Sequence, residues 1–104
     1  MQPNLAPKKG WMCVETYKPL RGSTWDEYWF VVDNGRLRYY EDPASRKAMF
    51  DVALDNTEIS TCGHARAGKF AFRLTDLQQH RKLVLAAETE TASLSWAESI
   101  LEHG

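Results

Sequence analysis

With 104 residues, 43% of them hydrophobic, the chain has the length of one domain that buries roughly two thirds of its unfolded surface and needs no covalent staple. A net charge of −1 argues against nucleic acid as a main partner, because gripping a phosphate backbone takes many Lys and Arg contacts. Two cysteines, Cys13 and Cys62, give neither a disulfide framework nor a Cys-x-x-Cys zinc signature, which fits a reducing compartment.

In chain order, residues 1–7 read as a short tail with two prolines, and residues 8–104 as the folded domain. A strand is expected from Lys9 to Thr16. Tyr17 to Thr24, containing Pro19 and Gly22, reads as a loop, and Trp25 to Asp33 as an aromatic and β-branched strand. Asn34-Gly35 before Leu37 to Tyr40 is a hairpin signal, because both central turn positions want positive φ. Glu41 to Lys47 is the next loop, and Asp55-Asn56 separates short strands at Met49–Leu54 and Glu58–Thr61. Gly63 to Gly68 is a looser connection before the strands Phe70–Thr75 and Lys82–Ala86, which a polar loop around Asp76 to His80 joins.

The last segment reads as an amphipathic helix. Ala92, Trp96, Ile100, Ala97, Leu101 and Leu94 fall on one arc at 100° per residue, with Ser95, Glu98, Ser99 and Glu102 opposite. Thr89 is placed to cap its start, Glu90 sits on the first turn, and Gly104 can end it. A single helix following strands must bury its apolar face against a sheet, so Trp96 is predicted to be the plug. The apolar runs 28–32 and 83–87 are too short to cross a bilayer. From Glu88 onward there are four acids and no Lys or Arg, which disfavours the helix as a membrane-facing surface.

Little in the chain points to chemistry. His64, His80 and His103 have no ligand spacing, and Cys62 near His64 lacks the geometry and the orienting third group of a nucleophile and base. Paired carboxylates, a glycine-rich phosphate loop and a triad pattern do not appear, so no catalytic residue, metal ligand or cofactor is assigned.

Seven short antiparallel strands closed by one helix, with Lys8-x-Gly10-Trp11-Met12, Trp25-x-x-x-Trp29-Phe30-Val31-Val32, Leu37-x-Tyr39-Tyr40, Phe70-x-Phe72, Leu83-x-Leu85-x-Ala87 and then Trp96, resemble the pleckstrin homology (PH) domain family. The resemblance implies a mainly β fold: a seven-stranded, bent antiparallel barrel or sandwich capped by one C-terminal α-helix. It also implies a non-catalytic interaction or targeting module of a larger cytoplasmic signalling protein, with protein partners and anionic phospholipid membranes as its ligand classes. Family members that bind phosphoinositide headgroups typically carry Lys or Arg where this chain has Val14, Asp26 and Tyr28; only Tyr39 agrees with their pattern. Alternation along the strands puts those positions on the face of Met12, Phe30 and Leu37, so the usual pocket is expected to be degenerate. Anionic lipid contact is then left to Lys18 and Arg21 in the first loop and Arg46 and Lys47 in the third, with Arg66 and Lys69 in the fifth as further loop cations. Trp25 and Trp29 share the opposite, outer face and are candidates for protein contact.

Overall fold

The computed structural model describes residues 6–64 and 70–103, without the side chains of Tyr17, Lys18, Ser23 and residues 61–64. Seven strands and one helix follow in order: β1 Lys8–Lys18, β2 Gly22–Asp33, β3 Arg36–Tyr40, β4 Phe50–Ala53, a 3₁₀ turn Leu54–Asn56, β5 Thr57–His64, β6 Phe70–Asp76, β7 Arg81–Ala87 and α1 Glu90–His103. All pairings are antiparallel, in the order β4-β3-β2-β1-β7-β6-β5. One contiguous core takes residues from both ends of that order, among them Leu37 and Val52 on one side and Phe72 and Leu74 on the other. The sheet must therefore bend until its inner faces enclose a common interior.

The strands follow from alternation. Met12 and Val14 on β1, Phe30 and Val32 on β2, and Leu37 on β3 are buried, and the register pairs Leu37 with Val32. The β2–β3 turn is set by Asn34 and Gly35, with φ of 53° and 75°, the positive pair that this hairpin geometry demands. The edges β4 and β5 are joined by the 3₁₀ turn, which the Thr57 hydroxyl fastens by donating to the Leu54 carbonyl at 2.9 Å.

α1 closes one end. Thr89 accepts the Ala92 amide on Oγ1 at 3.1 Å, the N-cap bond that satisfies an otherwise orphaned donor. Trp96 and Ile100 are buried. The Trp96 ring meets Phe30 edge-on at 6.3 Å and lies so close to Gly10 that a Cβ there would stand 3.2 Å from its Cζ2.

Two expectations are corrected. The segment 17–24 is mostly strand: β1 runs to Lys18 and β2 starts at Gly22, leaving a turn of Pro19, Leu20 and Arg21. Thr16, Thr24, Tyr17 and Ser23 suit a pleated ladder, and pairing outweighs the local punctuation of Pro19 and Gly22. The helix arc is also narrower than its composition suggests, because Leu94 and Leu101 are 52% and 65% exposed while Ser93 takes a buried place. Gly104, Arg66, Lys69 and residues 1–5 of the tail lie outside the described residues, as do the side chains of Cys62 and His64. No described helix is long and apolar enough to cross a membrane, and no cluster of metal-ligating side chains occurs among the described residues.

Candidate functional site

The residues singled out by alternation are brought together on one face of β1–β3. Val14 pairs with Asp26, Met12 with Tyr28, and Phe30 with Tyr39. Val14 is closed over within the core, and Asp26, Tyr28 and Tyr39 are half-buried. The Tyr28 and Tyr39 rings stack at 4.7 Å, and Tyr39 stacks in turn on Phe50 at 5.4 Å with the planes only 8° apart. The result is a ladder of three aromatic rings, Tyr28, Tyr39 and Phe50.

The influences on the Tyr39 phenol all act in one direction. Burial is the largest influence raising the Tyr39 phenol above its ordinary value of 10.0, and the neighbouring Tyr28 and Asp26 push in the same direction. Tyr39 is thus held neutral beside a carboxylate. Arg81 stands at the far end of the ladder with its guanidinium 4.8 Å from the Phe50 ring centre, and its NH2 group donates to Asp76 at 3.1 Å. Neither Arg81 nor Phe50 stands out in the sequence, because their meeting depends on the β6–β7 register and on the bend that brings β4 across to β7.

The loop candidates lie elsewhere. Arg21 is exposed on the β1–β2 turn beside Leu20, which is fully exposed at 106% and has a φ of 73°. The backbone of Lys18 pairs with Gly22 at the base of that turn, while the Lys18 side chain is outside the described atoms. Arg46 and Lys47 are exposed on the β3–β4 connection, whose start is fixed by the Ala44 amide donating to the Asp42 carboxylate at 2.8 Å. None of Arg21, Arg46 and Lys47 forms an ion pair among the described residues, whereas Arg36 and Arg38 are both engaged by Asp51 at 2.7 and 3.2 Å. Leu20 has a signal that sequence reading passed over, namely a large apolar residue between a proline and an arginine in a turn.

On the outer face, Trp29 is half-buried and packs edge-to-face with Trp11 at 5.5 Å, opposite Tyr40 on β3. Trp25 is half-buried opposite Glu15. Trp11, 44% exposed, extends the aromatic surface that Trp25 and Trp29 begin.

Comparison with known proteins gives a consistent picture. A family model described as PH domain matches residues 6–103. Human dynamin-1 is 28% identical over 107 residues, an alignment that takes in 96% of this chain but only 12% of dynamin-1. The solution structure of the pleckstrin homology domain of human KIAA0053 protein superposes with a TM-score of 0.80 at 20% identity, covering 99% of this chain and 92% of that one. The crystal structure of the Slm1-PH domain in complex with inositol 4-phosphate superposes with a TM-score of 0.73 at 15% identity, covering 89% and 90%.

Proposed function

The chain belongs to the PH domain family, whose model spans residues 6–103, and on that premise we propose that it serves as a non-catalytic interaction and targeting module of a larger protein. It touches anionic membranes weakly through the β1–β2 turn, and protein contacts supply the rest of its recruitment. The observation that carries this reading is the composition of the β1–β3 face, where Asp26 stands opposite Val14 and the Tyr28 and Tyr39 rings stack on one another.

A phosphate entering beside Asp26 meets a carboxylate in place of the charge-assisted bonds from Arg or Lys, each worth about 1.5–3 kcal/mol. Two such bonds forgone weaken capture by orders of magnitude. The turn offers a smaller gain: burying Leu20 contributes about 1.5–3 kcal/mol, and Lys18 and Arg21 about 1 kcal/mol each at a charged surface. A total near 4 kcal/mol corresponds to half-saturation at about 1 mM, so a lone domain visits a membrane transiently, and several copies held together bind far more firmly.

The alternative is phosphoinositide targeting through Lys18, Arg21, Arg46 and Lys47. It draws support from Arg21, Arg46 and Lys47, which are exposed and form no ion pair among the described residues, and from the inositol 4-phosphate complex of the Slm1-PH domain.

Co-sedimentation with vesicles distinguishes the two. The expected result is weak pelleting on phosphatidylserine vesicles at low ionic strength, fading as salt shortens the screening length and lost in Leu20→Asp/Arg21→Glu, with little added by any phosphoinositide. The change Asp26→Lys/Tyr28→Arg should create headgroup-dependent pelleting. Tight, saturable binding of the unaltered chain to one phosphoinositide favours the alternative, and failure to pellet at low salt removes the membrane half altogether.

A further inference from the structure

α1 carries more apolar surface than the core uses. Leu94, Ala97 and Leu101 recur at i, i+3 and i+7, and the two leucines remain mostly exposed on a flank of the helix that neither Trp96 nor Ile100 occupies. Beside Leu101 runs a groove of about 140 Å³, walled by the helix on one side and by Leu54, Asp55, Thr57 and Ile59 on the other. That is room for about one large apolar side chain.

The surroundings are mainly acidic, with the Lys8 ammonium, which donates to Ser95 Oγ at 3.1 Å, as a cation held against the helix. Both walls come from segments, 48–64 and 83–104, that contain no Lys or Arg. Asp55 lines the groove itself, and Glu98 and Glu102 are exposed on the helix beside Leu101. An anionic membrane or a nucleic acid is repelled from such a face, whereas a cationic partner is attracted to it. The place is also remote from the β1–β2 turn: Gly10, which packs on the helix through Trp96, is eight residues along β1 from Lys18, about 26 Å at the rise of an extended strand.

We infer that the stripe Leu94–Ala97–Leu101 and the adjoining groove form a docking site for a basic amphipathic helix of a partner protein, which seats one apolar side chain in the groove and sets its Lys and Arg residues against Asp55, Glu98 and Glu102. A helical occupant matches a stripe with helical spacing, since two such stripes interdigitate along their length. This deepens the protein-contact half of the proposed function and stands apart from the membrane half, so either can fail without the other.

The test uses a synthetic Leu/Lys amphipathic helical peptide, with a Leu/Glu peptide of the same apolar pattern as control. Amide shifts in a ¹⁵N spectrum locate binding and fluorescence anisotropy measures it. The Leu/Lys peptide is expected to perturb residues 54–59 and 94–102, and the Leu/Glu peptide to leave them unchanged. Leu94→Ser/Leu101→Ser should weaken binding by roughly tenfold or more, since exposed leucines lose apolar contact without disturbing the core. Glu98→Lys/Glu102→Lys should weaken it too, with a shallower dependence on salt. Vesicle pelleting should be unchanged in both variants. Equal binding of the two peptides, perturbations centred on the Trp11–Trp29 face, or no binding would overturn the inference. Self-association of the free chain that Leu94→Ser abolishes would also overturn it, in favour of a second copy.

Discussion

Trp96 is held by three neighbours from distant parts of the chain: the Phe30 ring, the bare backbone of Gly10, and the Lys8 ammonium 5.0 Å from its ring centre. Removing the ring empties the point where β1, β2 and α1 meet, at a cost of about 3–5 kcal/mol in a domain whose total stability is about 5–15 kcal/mol. Trp96→Ala should therefore lose at least about 12 °C of Tm or fail to fold, as read by thermal circular dichroism. Gly10 gives a sharper test. Alanine in a strand is ordinarily better than glycine by about 0.5–1 kcal/mol, but here its Cβ presses on the tryptophan, and overpacking of that kind costs about 1–3 kcal/mol. Gly10→Ala should lower Tm in the unaltered chain. In a Trp96→Phe background, where the pressing atom is gone, it should be neutral or raise Tm. Equal effects in the two backgrounds would show that the contact carries no energy.

At the scale of the element, α1 is docked by a polar residue as well as by its apolar face. Ser93 Oγ donates to the Phe70 carbonyl at 2.6 Å and accepts the Ala87 amide at 3.0 Å, tying the first turn of the helix to the start of β6 and the end of β7. Ser93→Ala removes both of these bonds at a buried position, a loss of about 1–3 kcal/mol and a Tm lower by 4 °C or more, on the scale of about 4–8 °C per kcal/mol. Ser95→Ala, whose exposed hydroxyl only accepts from Lys8 at 3.1 Å, should melt nearly as the parent does. The same contrast marks where sequence reading stops. The existence and type of all eight elements follow from local pattern: alternation in the strands, the Asn34-Gly35 turn, and the Thr89 cap before a 3.6-residue period. Ser93 resists such reading because its partners are 23 and 6 residues away and a serine beside apolar neighbours reads locally as a defect. The β1–β2 loop is shorter than its local residues predict for a related reason, since ladder pairing carries the strands past residues that punctuate a chain when considered alone. The face of Val14, Asp26, Tyr28 and Tyr39 could be anticipated from parity, but the ladder that fills it could not, because Phe50 and Arg81 join it only through the bend of the whole sheet.

Across the whole molecule, that bend leaves a seam between the edge strands β4 and β5, and the seam is closed by a small set of polar contacts. Arg81 of β7 covers Phe50 of β4, and Asp76 holds Arg81 while accepting the Gln78 and Gln79 amides; the Leu77 amide, donating to the Asn56 carbonyl at 3.0 Å, extends the β5–β6 ladder beside it. Burial alone would raise the Asp76 carboxyl, but the Arg81 guanidinium and the two amides outweigh it and keep the carboxyl below its ordinary 3.8. For Asp51, too, the bonds from Arg36 and Arg38 overcome the influence of burial and lower it, though this exposed cluster is more strongly screened by solvent and salt. A carboxylate lowered by folding stabilises the native state fully above its unfolded value, and that contribution disappears as pH falls through the folded value. Stability should thus hold from neutral pH down to about pH 5 and then decline below about pH 4 as Asp76 takes up a proton, Arg81 loses its partner and the seam loosens. Asp76→Asn tests the attribution. At pH 7 it should melt below the parent, and the gap should narrow as both are taken to pH 3 and close at lower pH, where the parent is protonated as well. A gap of constant size from pH 7 to pH 2 would mean that the charge of Asp76 contributes nothing and that the seam is held by its aromatic contact alone.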